Sequence, residues 1–420
     1  MNALHRTWEK LISQTLTEAE QMPKRWRPAF HIAPPVGWLN DPNGLCQYKG
    51  VYHAFYQYSP FEEKGGLKFW AHCTSTDLLH WKLENIPLSP DQPYDCHGVY
   101  SGSAVIEDDH MYLYYTGNVK ELGDYDYINQ GRQANTVRAV SLDGIHFDRK
   151  ELLLTNADYP MDLTCHVRDP KVWKKYGRWY MVQGARTKED QGVVLLFTSG
   201  DGVKWFCTHR LKSPKPFGFM WECPDLYKVD GHTVLSISPQ GVEADGLKYN
   251  NVYQSVTTFL DGDFRTTSVS GEFRELDGGF DFYAPQTMET ADGRRVIIGW
   301  MQSCEKAFLP EGFPWCGILS IPRELFLENG RLCQRPVREL ENYLKEKAVY
   351  TDVSIGKKQA LTCIQGRMID LSVTVKGKAY DKWTLYLAAG EKHYSTITYD
   401  RKAEVLTFDR TYSGVHWNIV

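Results

Sequence analysis

No Cys-x-x-Cys pair, no His-Glu-x-x-His and no Cys/His cluster at ligand spacing occurs in this chain. The sequence signatures of structural and catalytic zinc are therefore missing. No P-loop, no EF-hand loop and no Gly-x-Gly-x-x-Gly after a strand is found either, so neither a metal nor a cofactor is expected. A basic stripe is also absent: 48 Lys and Arg stand against 52 Asp and Glu, a net charge of -4, which argues against a nucleic-acid partner. No run approaches the ~18 apolar residues of a membrane span. The longest, Val193 to Phe197, reads as a buried strand. The segment Met1 to Met22 carries Glu9, Glu18 and Glu20 and no apolar block. Leu4, Trp8, Leu11, Ile12 and Leu16 recur there at helical spacing, so an amphipathic helix is expected and not a signal peptide. The 10 cysteines are widely scattered; with no export signal, they are expected as free thiols in a reducing cytoplasm.

What the chain has in excess is aromatic: 13 Trp, 25 Tyr and 18 Phe. Strand-forming aromatics along the whole length favour an all-β architecture, and sugar-binding clefts use the same residues. At 420 residues, two domains are expected. The most informative run is Trp38-Leu39-Asn40-Asp41-Pro42-Asn43-Gly44. Pro42 and Gly44 suggest a sharp turn holding Asp41 beside Trp38 and Asn40, a carboxylate next to a flat apolar surface. Taken alone, the run reads equally well as a polar hairpin turn.

A weak internal repeat decides between these readings. An acidic or small-residue motif is followed at a short interval by an aromatic and aliphatic strand. The copies open at Asp41-Pro42, Ser101-Gly102-Ser103-Ala104, Arg168-Asp169-Pro170, Glu222-Cys223-Pro224-Asp225 and Tyr283-Ala284-Pro285-Gln286. A third element, Ser-x-Asp before an aromatic, recurs at Ser75 to Trp81, Ser141 to Phe147 and Ser199 to Trp205, with a looser case at Leu260 to Phe264. Five strand-rich units in one order fit a five-bladed β-propeller. Its inner strands would bring the opening motifs to one mouth of the channel, and Asp41, Asp169 and Glu222 open three of the five copies.

Paired carboxylates facing a scissile bond are the minimal machinery of glycoside hydrolysis. One must stay ionised and the other must hold a proton, and environment sets the difference. Glu222 lies in the apolar Met220-Trp221-Glu222-Cys223-Pro224, a setting that suits the acid. Asp41, among amides and the backbone N–H groups of the expected turn, suits the anion. Arg168 is placed to hold Asp169 charged by pairing, or to order the neighbouring carboxylates.

Trp38 to Gly44, Arg168-Asp169-Pro170 and Glu222-Cys223-Pro224 together resemble the three signature motifs of glycoside hydrolase family 32, the family of invertases, fructanases and sucrose-6-phosphate hydrolases. The resemblance continues through Phe55-Tyr56-Gln57, Phe69-Trp70-Ala71-His72, Tyr100-Ser101-Gly102-Ser103 and Ile321-Pro322-Arg323-Glu324-Leu325, and covers about residues 30 to 340. It implies a five-bladed β-propeller followed by a C-terminal β-sandwich. It also implies that Asp41 is a nucleophile forming a fructosyl-enzyme intermediate, that Glu222 is the general acid and then base, and that Asp169 stabilises the transition state. Retention of configuration follows, with the Asp41 and Glu222 carboxyls expected ~5–5.5 Å apart. Asn40, Gln57, Trp70, Ser101, Arg168 and Trp300 match positions lining the fructose subsite, flanked by Trp38, Leu39 and Tyr100. For each aromatic, core packing is the alternative.

Leu88 to Asp95 and Met220 to Asp225 look like the bacterial sucrose-6-phosphate hydrolase branch. Sucrose 6-phosphate, and sucrose beside it, are the expected small-molecule substrates, with no membrane partner; a homo-oligomer is left open. Invertase or fructan hydrolase activity on unphosphorylated substrate is the same-class alternative, and a fructosyltransferase is a further one. A non-catalytic carbohydrate-binding propeller is the alternative of another class. Arg132, Arg186 and Lys188 are candidates for a phosphate contact, though solvated loop charges explain them as well.

The expected organisation is a helical segment over 1–29, the propeller over 30–334, a linker helix over 335–347 and a β-sandwich over 348–420. Strands are expected at Arg367 to Val375, Lys382 to Ala388, Tyr394 to Tyr399 and Val405 to Phe408. The family sandwich needs about twice the residues that remain here, so this domain is expected to be shortened.

Overall fold

The structure, a computed structural model, describes residues 3–21, 27–147, 149–302, 313–345, 347–377 and 379–414. Over these described residues it is all-β apart from one N-terminal α-helix and short 3₁₀ turns. Two compact units divide the chain, Met1–Glu339 and Leu340–Val420.

In the first unit the helix Ala3–Glu20 forms as its periodicity requires. Ile12 is buried, and the Trp8 ring meets Phe69 edge-on at 5.4 Å. Five antiparallel sheets follow in chain order, each of four or five strands. Their opening strands are Gly37–Tyr48, Val99–Glu107, Leu163–Lys175, Met220–Val229 and Tyr283–Glu289. Each packs against the opening strand of the next sheet, and the fifth packs against the first. Trp315–Cys316 adds a parallel strand to the first sheet, at Gly37 and Trp38. A late piece of chain thus closes an early sheet.

Local chemistry explains the hairpins. The first four sheets turn from first to second strand through two residues that both have positive φ: Lys49-Gly50, Asp108-Asp109, Tyr176-Gly177 and Asp230-Gly231. Such turns match the twist of paired strands. The Ser-x-Asp motif is a second repeated turn, placed after the third strand. Asp77, Asp143 and Asp201 each accept two backbone N–H groups on Oδ1, from Leu79 and His80, Ile145 and His146, and Val203 and Lys204. Side chains between sheets make the core. Phe55, Trp70, Leu113 and Tyr115 cluster together, as do Tyr114, Trp179 and Phe197, and Tyr180, Leu196 and Trp221.

The Trp38 to Gly44 run is not the turn its composition suggests. It lies within Gly37–Tyr48, and register irregularities between Leu39 and Pro42 and between Asn43 and Cys46 accommodate it. Pro42 has no N–H for the ladder and Gly44 has φ 56°; β-bulges absorb both inside a strand.

The same device recurs at the corresponding place in every sheet. Irregularities fall between Tyr100 and Gly102, beside Asp169-Pro170, between Glu222 and Asp225, and between Tyr283 and Gln286. In four of the five, a backbone N–H freed by the bulge finds a side-chain acceptor in the preceding sheet. Gly102 N–H donates to Asn43 Oδ1 (2.9 Å), Asp169 N–H to Thr116 Oγ1 (2.9 Å), Cys223 N–H to Asp169 Oδ2 (2.9 Å) and Ala284 N–H to Ser238 Oγ (3.1 Å). The repeat in the sequence is a series of bulges, stitched in turn from the first sheet to the fifth.

The fifth sheet ends on Arg331–Pro336, which carries it past residue 334, and a 3₁₀ turn Arg338–Tyr343 follows where a linker helix was expected. Taken by itself, the second unit has a single three-stranded sheet of Lys382–Leu387, Ser395–Asp400 and Val405–Asp409 among the described residues. The strand expected at 367–375 is not formed. Its alternating pattern has no neighbour to pair with, and Met368, Ile369 and Val373 stay exposed; alternation makes a strand only where another backbone completes the ladder.

Candidate active site

The bulges deliver Asp41, Asp169 and Glu222 to one place. Asp41 is buried. Its Oδ2 accepts from the Ser101 hydroxyl, from Gln57 Nε2 (3.4 Å) and from the Cys223 thiol (3.7 Å), and its Oδ1 accepts from Asn40 Nδ2 (3.1 Å). Behind these donors, Trp38 Nε1 donates to Asn40 Oδ1 (3.1 Å), Asn40 Nδ2 also reaches Gln57 Oε1 (2.9 Å), and Gln57 donates to Ser101. Four residues from the first two sheets thus fix one carboxylate.

Burial pushes the Asp41 carboxyl above its ordinary range, opposed by the Ser101 hydrogen bond and reinforced by the charge of Glu222. The sequence environment had suggested an easily ionised Asp41. Desolvation is the larger effect, because the backbone N–H groups of a turn are not there to offset it. Asp169, also buried, is raised for the same first reason, with Arg168 opposing and Glu222 and Asp41 adding repulsion. Asp169 has φ 66°, Cys223 φ 46° and Ala284 φ 49°, and each precedes a proline. Proline disfavours compact conformations before it, so strain sits in three of the five bulges, as at many functional sites.

Glu222 has a different set of partners. Its Oε1 accepts two N–H groups of Arg168, from Nε at 3.0 Å and Nη2 at 2.6 Å. Its Oε2 accepts from Gln240 Nε2 (2.6 Å) and from the Tyr283 hydroxyl. Arg168 therefore orders Glu222 more than it neutralises Asp169, whose Oδ2 is 3.9 Å from Nε. The third nitrogen of the fork, Nη1, lies 2.6 Å from His166 Nδ1.

Around this centre the remaining residues singled out from sequence divide into two groups. Asn40, Gln57, Ser101, Arg168 and Trp38 touch a carboxylate directly or through one intermediary. Trp300 is buried and meets Trp38 edge-on at 5.6 Å. Trp70 and Leu39 are wholly buried. Trp70 packs on Phe55 and Tyr115 and donates Nε1–H to the Tyr100 carbonyl at 3.0 Å, which places it behind Tyr100 in the core. Tyr100 itself is partly exposed.

Sequence reading missed Cys223, Gln240, Tyr283, Asn43 and Thr116 as contributors. Cys223 and Tyr283 stand inside the repeat motifs, so their alignment with Asp41 and Asp169 was a signal. Nothing in the sequence marks Gln240. Among the described residues no group of three or more His, Cys, Asp and Glu could hold a metal ion, and no helix is long and apolar enough to cross a membrane.

This arrangement holds one carboxylate in a web of neutral donors and another against a cation, a phenol and an amide, with a third, Asp169, within electrostatic reach of both. Such a pair can attack on one side of a bond and pass a proton on the other. Comparison with known proteins points the same way. Residues 31–336 match the glycosyl hydrolases family 32 N-terminal domain. The chain is 44% identical over 328 residues to the sucrose-6-phosphate hydrolase of Bacillus subtilis (strain 168), covering 75% of this chain and 66% of that protein. It is 42% identical over 343 residues to the raffinose invertase of Escherichia coli, covering 80% and 70%. The solved GH32 beta-fructofuranosidase of Bombyx mori superposes with a TM-score of 0.82 at 31% identity, covering 98% of this chain and 86% of that one. The chain thus spans about two thirds of the length of the two curated relatives.

Proposed function

The chain belongs to glycosyl hydrolase family 32, and from that premise we propose that it is a β-fructofuranosidase that hydrolyses sucrose 6-phosphate, with sucrose a poorer substrate. The observation that carries the reading is the contrast between two carboxylates of one site. Asp41 receives neutral donors and keeps a lone pair for attack, whereas Glu222 is oriented by Arg168, Gln240 and Tyr283.

The steps follow from those contacts. An Asp41 carboxylate oxygen attacks C2 of the fructosyl unit as the bond from C2 to the glucosyl oxygen breaks. Glu222 gives its proton to that leaving oxygen. A water then enters, Glu222 takes one of its protons, and the oxygen attacks C2 and releases Asp41. Two inversions give net retention. Asp169 accepts hydrogen bonds from fructosyl hydroxyls as positive charge develops on the ring, and its own backbone and carboxylate are held by Thr116 and Cys223. Trp38, Trp300 and Tyr100 supply the apolar walls, and Trp70 and Leu39 back them.

We read the five sheets as five blades of one propeller; their cyclic packing and the bulge repeated in each support this. The region after residue 348 is read as part of a β-sandwich. The names of the relatives support the phosphorylated substrate, and a phosphorylated disaccharide would place the work in the cytoplasm. The deciding measurement is kcat/KM on sucrose 6-phosphate against sucrose. Equal values would leave an invertase, and absence of turnover on both would leave a sugar-binding propeller.

A further inference from the structure

Three cations stood out in the sequence as phosphate candidates, and the structure separates them. Lys188 donates to the Met161 carbonyl at 2.7 Å. Arg186 pairs with Asp190 at 2.6 Å and lies over the Phe219 ring. Arg132 differs from both: it makes no ion pair among the described residues, and its buried Nε–H has no acceptor there.

Arg132 is held in place by its backbone. It opens the strand Arg132–Ser141 opposite Lys120, and its carbonyl accepts from Asn156 Nδ2 at 2.8 Å. Its guanidinium lies within electrostatic reach of the Tyr100 hydroxyl, Arg168, Cys165 and Glu222. Arg168 and His166 are in contact with each other, and His166 also feels the charges of Arg132 and Arg186. The carboxylate in this group, Glu222, is already engaged by Arg168. Burial opposes the charge of Arg132, and a guanidinium whose Nε–H is buried without an acceptor or counter-ion carries a desolvation cost. A neutral sugar does little to offset that cost. An anion with several acceptor oxygens suits a guanidinium fork well.

We propose that Arg132, flanked by His166 and Arg186, binds the phosphate monoester of the substrate's leaving group. The side of the site fits: Glu222 protonates the leaving oxygen, and Arg132 lies within electrostatic reach of Glu222 and Tyr100. The inference rests on the hydrolase reading above and assigns its phosphate site.

The test is the ratio of kcat/KM for sucrose 6-phosphate to kcat/KM for sucrose, measured on the full chain and on Arg132→Gln. Both substrates are assayed on one preparation, so the fraction of folded enzyme cancels. The ratio should fall by about tenfold or more, through KM for the phosphorylated substrate. Glucose 6-phosphate should inhibit the wild type at lower concentration than glucose or inorganic phosphate, and that advantage should shrink in the variant. A high wild-type ratio that Arg132→Gln leaves unchanged overturns the assignment alone. A wild-type ratio near one overturns the phosphorylated-substrate reading as well. Should Arg132→Gln not fold, Arg132→Lys reports instead: losing the fork should lower the ratio about threefold or more, and an unchanged ratio again overturns the assignment.

Discussion

Arg168 grips Glu222, its partner in the next sheet, in preference to Asp169, its neighbour in the chain. Two of its N–H groups reach Glu222 Oε1 at 3.0 and 2.6 Å, while Asp169 Oδ2 is 3.9 Å from Nε. A fork fixes the direction of a carboxylate, which a point charge does not. Arg168→Lys should therefore lower kcat by about 10²-fold, in the range for loss of one oriented group, and change KM far less. Steady-state kinetics on sucrose decide this. A rise in KM at unchanged kcat would make Arg168 a substrate-binding group and not the positioner of the acid.

Asp41 and Glu222 should fail in different ways. Asp41→Asn removes the nucleophile, so turnover should vanish with every fructosyl donor while sugar binding persists. Glu222→Gln removes the proton source but leaves attack possible. With an activated donor whose leaving group needs no proton, it should release one burst of leaving group and stall at the fructosyl-enzyme. Mass spectrometry should then find a fructosyl adduct on the peptide containing Asp41. Rapid turnover of ordinary sucrose by Glu222→Gln would remove Glu222 from its role.

How far the sequence could be read follows from which of these features are local. The Ser-x-Asp turns were legible because each is closed within a few residues. Asp41, Asp169 and Glu222 were legible as members of a repeat. What the repeat meant was not: Asp41-Pro42 looked like a turn, and only pairing of Pro42 with Tyr56 shows a bulge inside a strand. Gln240 holds Glu222 from the next strand of its own sheet, and Thr116 holds Asp169 from another sheet. Neither has a spacing rule, since both contacts depend on long-range register. The alternation at 367–375 misled in the opposite way, because a pattern suited to a strand cannot supply the strand beside it.

The site carboxylates should cost the protein stability. The folded-state pKa of Asp169 lies above the unfolded value because burial disfavours the anion, with Glu222 and Asp41 adding to it. The folded state therefore holds this proton more tightly than the unfolded chain does. The penalty is absent below about pH 4, the unfolded carboxyl range, and grows as pH rises through the raised folded pKa. Asp169→Asn, which keeps an oxygen to accept from Cys223, should raise Tm by several degrees at pH 7 to 8 and abolish most activity. The gain should disappear in melts near pH 4. A variant less stable than wild type at pH 8 would mean that the Arg168 interaction outweighs desolvation.

Gly102 is a junction between three sheets, and no side chain fits there. Its N–H is taken by Asn43 Oδ1 at 2.9 Å and its carbonyl by Gln286 Nε2 at 2.7 Å. A Cβ would fall 1.9 Å from the Tyr114 carbonyl oxygen and 2.6 Å from Tyr115 Cα. Both obstacles are backbone of the neighbouring strand in the same sheet, so Gly102→Ala must force the first two strands of the second sheet apart, and Ser101 with its bond to Asp41 moves too. Overpacking of this kind costs about 1–3 kcal/mol. Both Tm and kcat should fall, with the loss in kcat persisting at temperatures where the variant is fully folded. Gly200→Ala is the control, since nothing lies within 4 Å of a Cβ there, and it should match wild type in both respects. Full activity in Gly102→Ala would show that the catalytic carboxylate tolerates a shift of the strand that carries Ser101.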